Sequence, residues 1–270
     1  MMEKNSMEPP TGDGVKRRRG IYLLPNLFTT ACLFSGFYSI ISAINGQFEN
    51  AAMAIFVAMV LDGLDGRVAR MTNTQSDFGA QYDSLADMVS FGLAPALVVY
   101  LWAFADMGKL GWLVAFVFVA SAALRLARFN TQVGVADKRY FQGLASPAAA
   151  AVIAGLVWVS VDFELPASAL VIPAYILTLA SGLLMVSNIR FRSFKDIDLK
   201  GKVPFFTILV VVVIFVSIAV DPPLVLFAVF LLYASSGVVS TILGRNKLQA
   251  KSNELKSGTE TKPETQDKEE

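Results

Sequence analysis

Four aspartates, Asp62, Asp65, Asp83 and Asp87, lie close together in an otherwise apolar part of the chain, LDGLDGRVARMTNTQSDFGAQYDSLAD over residues 61–87. Asp62 and Asp65 are three residues apart and Asp83 and Asp87 are four apart, so on helices each pair shares a face. Gly66, Ala69 and Arg70 fall within the broad face of the first pair, and Gly79 stacks one turn before Asp83 on the second helix. The polar link from Thr72 to Ser76 turns the chain back, with Ser76 placed to cap the second helix, so the two faces can converge. Carboxylates gathered in a partly dehydrated site cannot all stay ionised without counter-charge. Hard divalent cations with oxygen ligands meet that need, Mg²⁺ above all where phosphates supply further ligands. A metal-bridged phosphate with a carboxylate placed to take a hydroxyl proton is the layout of phosphoryl transfer. Gly66, Ala69 and Gly79 would leave room for a bulky ligand such as a nucleotide, although small residues also serve close helix packing. The acids do not share that second reading: a charge near mid-membrane costs about 2.5–3.5 kcal/mol on insertion scales.

Composition removes the competing chemistries. The chain has no histidine, so imidazole bases, imidazole ligands and Ser-His or Cys-His nucleophiles are excluded. Its single cysteine, Cys32, lies in an apolar run and supports neither a disulfide framework nor a thiolate metal cluster. Arg125 and Arg128, followed by Asn130, are candidates for binding a carboxylate or a lipid phosphate, since arginine pairs well with both. Arg190, Arg192 and Lys195 read as contacts for anionic lipid headgroups. Ser146-Pro147 opens a helix, where proline is tolerated in the first turn.

The elements that must hold these residues are membrane helices. The chain is 54% hydrophobic and only 17% charged, against roughly 25% charged in soluble domains. Eight apolar segments, each near the ~20 residues that cross a bilayer, run over about 24–46, 49–71, 79–104, 109–129, 143–161, 167–186, 204–220 and 223–243. The fold expected is an all-α polytopic bundle, because a hydrocarbon core leaves no water for open backbone groups. Lys and Arg gather in alternate connections, around Arg67/Arg70, Arg125 to Arg139, and Arg190 to Lys202. The positive-inside rule then places those connections, both termini and the aspartates on the cytoplasmic side. Trp102, Trp112 and Trp158 fall near the opposite interface, as an aromatic belt would. Residues 1–19 form a polar basic segment with no cleavage site, 20–244 the membrane domain, and 245–270 a charged tail too polar to fold on its own.

The motif residues match at every fixed position the signature D-x2-D-G-x2-A-R-x8-G-x3-D-x3-D, and the chain thereby resembles the CDP-alcohol phosphotransferase family over about residues 20–240. Softer segments, LPNLFTTACLFSGF (24–37), SFGLAPA (90–96), LRLARFN (124–130) and GLASPAAA (143–150), resemble the branch of that family whose acceptor is serine. The resemblance implies a two-metal centre of Mg²⁺ or Mn²⁺ on Asp62, Asp65 and Asp83, with Asp87 as a further ligand or a neighbour of the metals, and as the general base. It implies a CDP pocket shaped by Asp62, Gly66, Ala69, Arg70, Gly79 and Asp83. The expected substrates are CDP-diacylglycerol and L-serine in a bacterial inner membrane. The expected protein partner is a second copy of the chain, and no nucleic acid is involved. The fixed motif handles the CDP half alone, so glycerol 3-phosphate, inositol phosphate or choline are alternative acceptors. A cation transporter using the intramembrane carboxylates is the alternative from another class.

Overall fold

The computed structural model describes residues 23–132, 140–192 and 205–259. The basic N-terminal segment 1–19, Lys138, Arg139, Lys195, Lys200, Lys202 and residues 260–270 lie outside the described residues. The helices are α1 (Leu23–Ile44), α2 (Phe48–Met71), α3 (Asp77–Asp87), α4 (Ala94–Val99), α5 (Lys109–Gln132), α6 (Ser146–Asp162), α7 (Ala167–Val186), α8 (Phe205–Val220) and α9 (Pro222–Thr259). From Asp77 to Met107 the chain is one continuous rod, so each of the apolar segments in the sequence becomes one rod of the bundle. Among the described residues, five helices are long and apolar enough by themselves to cross a membrane. Of the other three, α2 carries the charged motif, α6 has 17 residues and α8 has 16. The fold is that of a polytopic helical membrane protein.

Helix α6 is the centre of the bundle. Its run of Ala148 to Ala151, with Val152, Ile153, Ala154 and Val157, is almost wholly buried, and α2, α4, α7 and α9 pack around it. Gly155 lets α9 close in, because a Cβ there would sit 3.0 Å from the Phe227 Cα. Helices α1 and α2 form an antiparallel pair over Ala51, Ala52, Ile55 and Ala58. Ser35 and Ser39 of α1 donate across it to the carbonyls of Ala54 and Ala51, both at 2.7 Å. Small residues and hydroxyl bridges are how helices associate where no water drives them together. The outward faces carry Phe34, Phe37, Val57, Val60, Phe116, Ile172 and Ile176, apolar surface that suits lipid.

Four local features depart from the sequence expectation. Asp77–Met107 is not a uniform α-helix: wide π turns occupy Met88–Leu93 and Tyr100–Phe104. Pro95 follows the first of them, and its missing N–H breaks the regular hydrogen-bond ladder there. A short antiparallel ribbon pairs Tyr140–Gln142 with Arg190–Arg192 and joins two connections that had read as plain basic loops. Helix α9 continues to Thr259, past residue 244 and into the segment expected to stay unfolded. Its lysines, glutamate, glutamine and leucines favour helix locally, so the rod propagates beyond its apolar part. The tryptophans do not act alike: Trp102 is buried, Trp158 packs against Phe56 at 5.7 Å, and Trp112 alone is half exposed.

Candidate active site

The carboxylates meet at one end of the bundle because α2 and α3 are joined by a tight turn. The N–H groups of Thr72 and Thr74 return to the carbonyls of Val68 and Ala69, at 2.9 and 3.1 Å. Asn73 takes the left-handed conformation, φ 50°, which asparagine tolerates better than most side chains. Ser76 is extended, and its Oγ accepts from the Gly79 N–H at 3.0 Å, the cap expected from sequence.

Asp62 of α2 and Asp83 and Asp87 of α3 each bring a carboxylate oxygen within 4.8 Å of the others, and all three are partly buried. Oδ1 of Asp87 is fully buried and has no hydrogen-bond partner among the described residues. An all-oxygen donor set of this size, with an orphaned carboxylate oxygen inside it, fits a hard divalent cation such as Mg²⁺ or Mn²⁺. Asp65 behaves differently. It is buried at 5% exposure, lies outside that trio, and accepts a 2.8 Å hydrogen bond from Thr29 of α1. It remains close enough to act electrostatically on Asp83.

The small residues separate into packed and open positions. A Cβ on Gly66 would meet nothing within 4 Å among the described residues, so none of their helices packs there and the space beside Asp65 is open. A Cβ on Gly79 would touch its own cap, Ser76 Oγ, at 3.1 Å, and Asn26 Oδ1 at 3.7 Å. Ala69 is partly buried and Arg70 is exposed at the end of α2. Tyr82, between Gly79 and Asp83, pairs with Thr30 at 2.9 Å and stacks on the exposed Phe78.

The basic residues of α5 reach this same end, and each is held by the protein. Arg125 donates from Nη1 to Ser146 Oγ at 3.0 Å, and Ser146 is wholly buried at the start of α6. Arg125 is also the cation that acts on Asp87, and it interacts electrostatically with Tyr233 of α9. Arg128 donates from Nη2 to the Val186 carbonyl at 2.9 Å, which closes the last turn of α7. Both arginines keep one further buried donor without a partner among the described residues, Nε of Arg125 and Nη1 of Arg128. Asn130 is engaged on both sides of its amide by Ser84, which sits between Asp83 and Asp87 on α3. The start of α6 is placed by Gly143, whose φ of 79° and lack of a Cβ allow close approach to the Met185 carbonyl. The side chains of Arg190 and Arg192 lie outside the described residues.

Sequence reasoning passed over Thr29 and Ser84. A hydroxyl on a membrane helix can satisfy itself on its own backbone, and the Pro25 carbonyl lies 3.1 Å from that of Thr29, so it carries no cost that would flag it.

A family model for CDP-alcohol phosphatidyltransferase matches residues 22–239. The chain is 39% identical over 225 residues to the CDP-diacylglycerol–serine O-phosphatidyltransferase of Helicobacter pylori strain J99, covering 82% of this chain and 92% of that protein. It is 40% identical over 154 residues to the protein of the same name from Mycobacterium tuberculosis strain H37Rv, covering 54% of this chain and 53% of that one. It is 34% identical over 178 residues to the archaetidylserine synthase of Methanothermobacter thermautotrophicus, covering 65% and 72%. With three signature aspartates, Asp62, Asp83 and Asp87, gathered together and the match running over residues 22–239, the chain belongs to the CDP-alcohol phosphatidyltransferase family.

Proposed function

We propose that this chain transfers a phosphatidyl group from CDP-diacylglycerol to L-serine, giving phosphatidylserine and CMP. The observation that carries the reaction class is the meeting of Asp62, Asp83 and Asp87 beside the open face at Gly66. Serine as the acceptor is supported by the names of relatives that match most of the chain.

In this reading the serine hydroxyl oxygen forms a bond to the phosphorus that carries the diacylglyceryl group. The phosphorus–oxygen bond to CMP breaks, and CMP leaves with the electron pair. Asp87 takes the hydroxyl proton; it is part of the cluster, and its buried Oδ1 has no hydrogen-bond partner among the described residues. Mg²⁺ or Mn²⁺, two ions by the family resemblance and held by Asp62, Asp65, Asp83 and Asp87, would neutralise the pyrophosphate and the leaving group. Gly66, Ala69, Arg70 and Gly79, with Asp62 and Asp83, form the CDP pocket. Arg125 and Arg128 each hold one guanidinium nitrogen on the protein and offer another to serine carboxylate or lipid phosphate. Asn130, bound to Ser84, aligns α5 with α3.

The site end of the bundle faces the cytoplasm of a bacterial inner membrane, with both termini on that side; the lysine and arginine distribution supports this. A homodimer is the expected assembly. Purified protein given CDP-diacylglycerol and a panel of alcohols tests the proposal. CMP should form with L-serine, stop with EDTA and return with Mg²⁺ or Mn²⁺. CMP release that required glycerol 3-phosphate and ignored serine would overturn the acceptor assignment.

A further inference from the structure

Asp65 is the one motif aspartate outside the cluster formed by the other three, and a side chain of α1 holds one of its oxygens. Thr29, on α1 and outside the signature, is buried at 4% exposure; its hydroxyl oxygen lies 2.8 Å from Asp65 Oδ2 and 3.1 Å from the Pro25 carbonyl, and its one proton goes to the nearer, charged acceptor. The bond joins two buried side chains 36 positions apart on different helices. Asp65 is followed on α2 by the open position at Gly66, and its carboxylate acts electrostatically on Asp62 and Asp83. A buried carboxylate with one oxygen held by a neutral donor loses rotational freedom without gaining a competing positive charge. We propose that Thr29 is a positioning residue that fixes the Asp65 carboxylate for divalent-metal binding. This rests on the reading that Asp65 takes part in holding the metal. Partners behind metal ligands typically change metal affinity roughly ten- to hundredfold when lost.

The test is direct Mn²⁺ binding, followed by electron paramagnetic resonance of the free ion, on the full chain in detergent with saturating CDP. Thr29→Val keeps the side-chain shape and removes the donor, and should raise the Mn²⁺ dissociation constant at least about tenfold. Thr29→Ser restores a donor and should stay within about threefold of the unmodified chain, which a packing role would not produce. In an Asp65→Asn background, Thr29→Val should have no further effect. Thr29→Ala serves in place of the valine variant if the latter does not accumulate. Unchanged Mn²⁺ binding by Thr29→Val beside weakened binding by Asp65→Asn would overturn the role of Thr29 and leave that of Asp65 standing. Equal loss in the Val and Ser variants, or an undiminished effect of Thr29→Val in the Asp65→Asn background, also overturns it. Unchanged binding by Asp65→Asn overturns both.

Discussion

Gly66→Ala should leave the protein folded and damage its handling of CDP-diacylglycerol. The position lies inside α2, and an added Cβ would meet no atom of the described residues within 4 Å. Replacing a helical glycine by alanine removes backbone freedom worth about 0.5–1 kcal/mol, so thermal stability should hold or rise slightly. If the nucleotide occupies that open face beside Asp62 and Asp65, a methyl group intrudes on it. A loss of about 1.4 kcal/mol of binding then appears as a tenfold higher KM for CDP-diacylglycerol. Gly36→Ala is the contrasting case. Its Cβ would lie 2.6 Å from the Ser90 Cα and 2.8 Å from the Ser90 Cβ, in a buried contact that turning a side chain cannot relieve. Carbon atoms rest about 3.5–4.0 Å apart, so α1 and the Met88–Leu93 turn would have to part by about 1 Å, at a cost of about 1–3 kcal/mol. Thermal melts in detergent, with CMP release measured against CDP-diacylglycerol concentration, separate the two. A Gly66→Ala protein with unchanged stability and unchanged KM would refute the assignment of that face to the nucleotide. One that melts as early as Gly36→Ala would show that the face is packed after all.

Asp87→Asn should abolish CMP release, measured even at saturating Mg²⁺ and CDP-diacylglycerol, because the amide keeps the shape and cannot take a proton. Near-normal turnover would remove Asp87 from the role of base. Ser146→Ala leaves Arg125 Nη1 without its partner, at a cost of about 1–3 kcal/mol, and should raise KM for serine more than KM for CDP-diacylglycerol. An equal rise in both would mean that Arg125 does not face the acceptor. Asn130→Ala and Ser84→Ala should weaken stability by similar amounts, and the double variant should lose no more than either alone, since both remove one contact. Additive losses in melting experiments would contradict this.

What the sequence determined by itself was local. Hydropathy over some twenty residues marks each rod of the bundle, because a helix in lipid must satisfy its backbone within itself. The signature spacing marks the carboxylate-bearing face, because positions three and four apart on one helix are neighbours whatever surrounds them. The tertiary structure decided what depends on a second element. Asp62 and Asp65 share a face of α2, yet Asp62 joins Asp83 and Asp87 while Asp65 accepts from Thr29, a partner that α1 supplies. Arg125, Arg128 and Asn130 looked alike as polar residues at the end of α5. Their partners, Ser146, Val186 and Ser84, come from three other helices and divide their roles. Gly36 and Gly66 are indistinguishable as letters; one is filled by Ser90 and the other stands open. A glycine's function is set by the atoms opposite it, and those are supplied only when distant parts of the chain pack together.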